Sequence, residues 1–501
     1  MSESDAPVRP VAPAFARYAG LAGAVLLTVA GWLGGALPDA PPRATLAALW
    51  QAPHGPVTLG CWLVGTVLLV GAWWSLRWGA PSGRWAYLTA GLWSLPLLAA
   101  PPLGSRDVYS YACQGWTWTQ GVSPYRVGVA AAGCPWTGSV SPIWRDTPAP
   151  YGPFFVLLAG LAVLAGGGLV GAVVLLRLVA VAGVLLAALC LPGLARAAGA
   201  PTRRAAWLVL ACPLVAVHLV AGAHNDALAL GLVLFGLLVL VRRPGKPRAL
   251  VAAGVLLGLA VAVKAIAVVV LPFAALAAVL GRYTWRALLR DGGRLAAVVL
   301  GTLLVLSLAT GLGLGWVDGL GRSGDSHQWT SPPTAVGFVV DYAGELAGRH
   351  PHAVPVTRVV GLVLLVGLLV ALWWWAWSAL RALNDARQRV ARLTVARPRV
   401  ALLGAGLALA ATVLLAPVFH PWYAIWPLTL LAVAVVSPAR TVWFVAPCAV
   451  ASVLTFPDGT NLARFTKAPG AVLMTVLVVV VVVRAVRAGP APRWRSRPGR
   501  C

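Results

Sequence analysis

Ser105-Arg106-Asp107-Val108-Tyr109-Ser110-Tyr111 follows an apolar run ending at Pro101-Pro102 and continues through Gln114, Trp116, Trp118 and Gln120 to Ser123-Pro124-Tyr125. It begins where the chain leaves a membrane. Acidic residues number only 13 in 501, so an aspartate set among tyrosines, tryptophans and amides at that boundary is informative. Aromatic faces suit the C–H groups of a sugar, and amides supply paired donors and acceptors for its hydroxyls. A carboxylate beside them can take a proton from a hydroxyl. The alternative is an interfacial aromatic belt, with Asp107 paired to Arg106.

Composition sets the fold class. Sixty per cent hydrophobic residues, 10% charged and a mean hydropathy of +0.84 describe an all-α, polytopic membrane helix bundle with no soluble domain. Apolar runs near 14–37, 57–76, 85–101, 153–195, 205–222, 226–241, 248–264 and 266–281 read as helices, as do 294–315, 357–382, 399–417, 422–437, 441–456 and 469–486. The net charge of +26 would suggest nucleic acid in a soluble protein. Here the arginines lie in short connections between apolar runs, where they set orientation instead. No cleavage site follows the first run, so a retained first helix is expected. One integral-membrane unit over 1–488 and a basic tail over 489–501 complete the reading.

The connections alternate in charge. Basic ones occur at Arg77/Arg84, Arg196/Arg203/Arg204, Arg242 to Arg248, Arg282 to Arg294, Arg381 to Arg399, Arg440 and the tail, and the positive-inside rule places them in the cytoplasm with both termini. The others then face outward, among them the long loops 102–152 and 316–356. Every informative polar cluster falls in this outward set. The run 153–195 is long enough for two spans, with Gly166-Gly167-Gly168 as a turn. One net crossing with a re-entrant, interfacial or broken first half keeps the charge pattern consistent. The total is then about fourteen crossings, thirteen and fifteen being the alternatives.

Several constellations can carry chemistry. If 107–120 is helical, Asp107, Tyr111 and Gln114 share a face. Asp146 reads as a partner of Arg145 or Arg126. Tyr151-Gly152-Pro153 is a rigid re-entry into the membrane. Gly222-Ala223-His224-Asn225-Asp226 holds three polar residues in a row, more than the helix N-cap that would explain Asn225 or Asp226 cheaply. His218 reads as a core histidine. Lys264, between two apolar runs, needs to snorkel or to find an anionic partner. Arg322 and His327 mark the second outward loop, and His420-Pro421-Trp422-Tyr423 opens a late helix at the interface. Arg464 and Lys467 put positive charge on the outer face, against the general bias, which suggests an anion. Cys113 and Cys134 share an outward loop, where a disulfide is plausible. The carboxylate spacing carries no metal-ligand signature and the cysteines no CxxC pattern, so no metal site is argued.

In order along the chain, Arg106-Asp107-Val108-Tyr109-Ser110-Tyr111, Tyr151-Gly152-Pro153, Gly222-Ala223-His224-Asn225-Asp226 and Pro421-Trp422-Tyr423 resemble a known family. It comprises the polyprenyl-phosphate-mannose-dependent α-(1→6)-mannopyranosyltransferases of actinobacterial lipomannan and lipoarabinomannan assembly, glycosyltransferases of the GT-C fold. The likeness covers roughly residues 100–430. Many GT-C enzymes carry an acidic pair in the first outward loop; Arg106-Asp107 stands there in this chain.

The resemblance implies a multi-pass enzyme of the plasma membrane with its active face outward. Its partners would be a polyprenyl-phosphate sugar donor, a lipid-linked mannan acceptor and membrane lipid, with no nucleic acid and no cofactor. Asp107 would be the catalytic base of an inverting, metal-independent transfer. Arg106, Tyr109, Tyr111, Gln114, Tyr151, His224, Asn225, Asp226, Lys264, Arg322, His327, His420, Trp422 and Tyr423 would bind substrates, with Arg464 and Lys467 further candidates for the lipid phosphate. The rivals are a transporter or flippase of lipid-linked sugar, and the same fold using arabinose or glucose.

Overall fold

The computed structural model describes residues 12–487 except 39, 41, 42, 44, 323, 325 and 385–388; the side chains of 322 and 389–393 also lie outside the description, as does the tail 489–501. The described residues form helices and no strand, apart from an isolated bridge between Thr455 and Asn461. The molecule is an all-α bundle. Proline opens helices at Pro13, Pro153, Pro247, Pro332 and Pro438, a first-turn position where no amide hydrogen is needed.

Among the described residues seven helices are long and apolar enough to cross a membrane, or eight if Thr202–Leu210 and Val215–Ala221, bent by 61°, form one span. The Leu169–Ala198 helix shows how they pack. Ala172, Leu176, Ala180, Gly183 and Ala187 are buried at helical spacing, while Val170, Leu178, Leu185 and Leu189 are exposed. Small residues inside and large aliphatics outside are what helix packing within lipid requires. The rest of the expected crossings would be made by shorter or broken helices.

The connections gather at two ends. At one, Arg204 binds the carbonyls of Val435 and Val436, Arg399 that of Ala198, and Arg397 those of Val279 and Gly281. This is the arginine-rich end. At the other, Gly104 N–H donates to Pro457, Trp118 to Thr310, Thr330 to Phe419 and Asn461 to Gln328. The two sets are those the charge pattern separated.

The ambiguous run 153–195 is split. Pro153–Gly166 is 14 residues, about 21 Å of helix, too short for a bilayer core of about 30 Å. It turns at Gly167 into Leu169–Ala198, whose Arg177 binds the carbonyls of Leu98, Ala100 and Ala221. Arg177 is therefore a clasp at the arginine-poor end, and of the two helices only Leu169–Ala198 is long and apolar enough to cross a membrane. The short helix lies along Asp107–Thr119. A Cβ on Gly115 would stand 2.4 Å from the carbonyl carbon of Ala159, so only glycine permits that approach. Cys113 and Cys134 form a disulfide that pins the same helix to its loop.

Candidate active site

The arginine-poor end assembles the polar clusters from five separate segments. Ser105 Oγ accepts the Asp107 N–H at 3.1 Å and starts the Asp107–Thr119 helix, which presents Asp107 in its first turn. Gly152 packs against the backbone of Ala262, which brings Tyr151 beside Lys264 at the end of Pro247–Val263. Lys264 Nζ lies 2.6 Å from Asp226 Oδ2, 5.9 Å from the Tyr151 ring centroid and 5.3 Å from that of Tyr423. Trp426 Nε1 donates to the other Asp226 oxygen at 2.7 Å. His224 Nδ1 stands between the carboxylates, 3.7 Å from Asp107 and 3.9 Å from Asp226. Its ring packs on Trp422 at 4.2 Å, and Trp422 stacks on His420 at 4.7 Å.

Two cavities meet here. One, of about 330 Å³, is lined by Ile266, Leu320, Val413 and Val418, with Gln114, Tyr151, Lys264 and Tyr423 at its polar wall. The other, of about 480 Å³, is lined by His327, Gln328, Asn461, Arg464 and Lys467, with Ser105 and Arg106. Asp107, Trp144, His420 and Trp422 line both. Both volumes suit a bound small molecule. Burial pushes the Asp107 carboxyl up to about 6, while Lys264 and the Ser105 hydrogen bond pull the other way. A carboxyl so placed changes protonation close to neutrality, as a general base requires.

The family description "Alpha-(1->6)-mannopyranosyltransferase, N-terminal domain" matches residues 17–280, and "MptB C-terminal domain" matches 333–484. An α-(1→6)-mannopyranosyltransferase of Mycobacterium tuberculosis is 33% identical over 446 residues, which cover 78% of this chain and 72% of that protein. The chain belongs to the α-(1→6)-mannopyranosyltransferase family. The α-(1→6)-mannopyranosyltransferase A of M. tuberculosis is 32% identical, covering 88% of this chain and 84% of its own length. The corresponding protein B of Corynebacterium glutamicum is 30% identical, covering 69% and 58%. No solved structure matches the chain.

Within this family member the candidates separate into lining and supporting residues. Asp107, Gln114, Tyr151, Lys264, His327, His420, Trp422 and Tyr423 line a cavity. Tyr109 does not: it is buried, with its hydroxyl on the Ala36 carbonyl. Arg106 borders the polar cavity, but its guanidinium is spent on the carbonyls of Leu37, Ala40 and Ser139. Backbone carbonyls at the loop base thus hold both side chains, while Arg106 still lines the polar cavity with its Nε unpartnered. Tyr111, His224, Asn225 and Asp226 are buried and line neither cavity. The capping explanation for Asn225 and Asp226 also fails. Asn225 makes no side-chain cap, and Asp226 is held by Lys264 and Trp426 instead. The Arg322 side chain lies outside the described residues. Asp146 is exposed and lines neither cavity, and Arg145 binds the carbonyls of Gly138 and Val140.

Trp426 was missed. Its signal was its place four residues beyond Trp422, one helical turn deeper into the site. Asp458 was missed too. It binds Thr460 and the Arg43 amide and shapes the floor of the polar cavity.

Proposed function

We propose that this chain is a membrane mannosyltransferase that moves mannose from polyprenyl-phosphate mannose to the 6-hydroxyl of a lipid-linked mannan, at the outward face of the plasma membrane. One observation supports it most: two cavities, one richer in aliphatic side chains and the other in polar and cationic ones, meet at the Asp107 carboxylate. The apolar cavity offers a polyprenyl chain aliphatic walls, and Lys264 at its mouth offers the phosphate a cation. The polar cavity offers amides, two histidines and two cations to a glycan acceptor.

In the step so arranged, Asp107 takes the proton of the acceptor 6-hydroxyl as that oxygen bonds to the anomeric carbon. The bond from that carbon to the phosphate oxygen breaks. Its electron pair leaves with the polyprenyl phosphate, whose charge Lys264 balances without calling on a metal. Attack from the face opposite the phosphate inverts a β-linked donor to an α-(1→6) product. General-base help of this kind is worth about 10²–10⁴-fold.

The test is transfer from polyprenyl-phosphate mannose to a short α-(1→6)-mannoside by membranes containing the protein or its Asp107→Asn variant. The expected result is loss of at least about 100-fold in the variant. Undiminished transfer by Asp107→Asn would remove the base. Equal use of polyprenyl-phosphate arabinose or glucose would overturn the sugar assignment.

A further inference from the structure

His224 is fully buried, and neither ring nitrogen has a hydrogen-bond partner. A buried imidazole normally satisfies at least one nitrogen. This one is fixed on every side. Ala223 holds a left-handed backbone at φ 54°, uncommon for a residue with a side chain, and turns the next residue toward the site. The His224 amide donates to the His218 carbonyl at 3.2 Å, and the ring packs against Trp422 at 4.2 Å and His218 at 5.7 Å, two rings that also touch each other at 5.2 Å. So held, Nδ1 faces two carboxylate oxygens at nearly equal distance, Asp107 Oδ2 at 3.7 Å and Asp226 Oδ2 at 3.9 Å. The second is the same oxygen that Lys264 holds at 2.6 Å.

We propose that His224 is a positioning residue that couples the base to the phosphate-facing lysine, its Nδ1–H serving Asp107 Oδ2 and Asp226 Oδ2 in turn. This rests on the transfer proposed above. A neutral imidazole has one N–H to give. While Asp107 is ionised, its carboxylate closes on the N–H, which holds it in position for the acceptor hydroxyl. Once Asp107 has taken the proton it is the weaker acceptor, and the Asp226 carboxylate closes on the N–H instead. A hydrogen bond onto the oxygen that grips Lys264 loosens that grip as the leaving phosphate needs the lysine's charge. The imidazole itself neither gains nor loses a proton.

Side-chain amides discriminate the two ring nitrogens: the asparagine nitrogen falls near Nδ1 and the glutamine nitrogen near Nε2. His224→Asn, His224→Gln and His224→Leu are purified in detergent and assayed with polyprenyl-phosphate mannose and a short α-(1→6)-mannoside, with Asp107→Asn in the same series. The expected order is kcat kept within about tenfold by His224→Asn and lowered about ten- to a hundredfold by the other two, with KM little moved.

The pH–rate profile supplies a second readout. Asp107 is faced by Tyr111 on its own helix and by Tyr151, His224, Asp226, Lys264, His420 and Tyr423 from the others. Only the His224 donor is lost in His224→Leu and His224→Gln, so their acid limb is expected to move to higher pH. His224→Leu combined with Asp226→Asn is expected to be no worse than the poorer single variant. Equal kcat across the three His224 variants, an unmoved acid limb, or fully additive losses would overturn the coupling. If Asp107→Asn alone kept full activity, the transfer reading would be what fails.

Discussion

Asp107 and Lys264 stand out in the sequence as site candidates because charge is scarce in this chain and both sit where an apolar run breaks, and both line the same cavity. What their neighbours do was not legible. Arg106 and Tyr109 have the residue types of sugar ligands, yet both are consumed by backbone carbonyls, and burial of that kind depends on segments far away in sequence. Two expected outcomes belong at this scale. Transfer should rise with pH through about 6, because below that value Asp107 is protonated and cannot accept, and above it the carboxylate is free to do so. A rate that is flat between pH 5 and 8 at saturating substrate would contradict this assignment. Lys264→Gln should lower kcat about 10²–10³-fold. It should also destabilise the protein by about 3–5 kcal/mol, because Asp226 would stay buried without its cation. Thermal unfolding in detergent measures the second effect.

The Asp107–Thr119 helix is the element that aims Asp107, the proposed base, and three restraints hold it: the Arg106 clasp, the Gly115–Ala159 contact and the Cys113–Cys134 disulfide. The shared face of Asp107 and Gln114 followed from helical spacing, and both line the apolar cavity. Tyr111 lies too deep to join them, because Tyr151 and Phe155 close over it. The split of 153–195 was only half legible. Gly166-Gly167-Gly168 announced a turn, but periodicity cannot say whether 14 apolar residues cross a bilayer or lie along another helix. The disulfide closes a loop with a sequence separation of 21, so its loss should cost about 3 kcal/mol. A Cys113→Ser variant is expected to unfold at lower temperature, and an unchanged transition would show that the helix is held without it. Arg106→Met should lower stability by at least about 2 kcal/mol and leave KM for donor and acceptor within about twofold. A large rise in KM instead would return Arg106 to substrate binding.

Across the whole molecule, the alternation of basic and polar connections was legible because lipid allows little else. Most arginines of the short connections lie at one end, and the polar clusters meet at the other. The shapes between the ends were not, since broken helices such as Thr202–Leu210 with Val215–Ala221 leave no composition signature. Orientation can be tested by thiol labelling in intact cells. Gln120→Cys should react with a membrane-impermeant reagent from outside, and Arg203→Cys only after permeabilisation; the reverse pattern would invert the bundle.

The claim on which the rest depends is the division of labour between the cavities. A structure of the protein with a non-transferable polyprenyl phosphonate analogue of the donor tests it most directly. The phosphonate is expected within hydrogen-bond reach of Lys264, with the lipid chain along Ile266, Leu320 and Val413 and the sugar facing Asp107. A phosphonate seated instead on Arg464 and Lys467 in the polar cavity would contradict it.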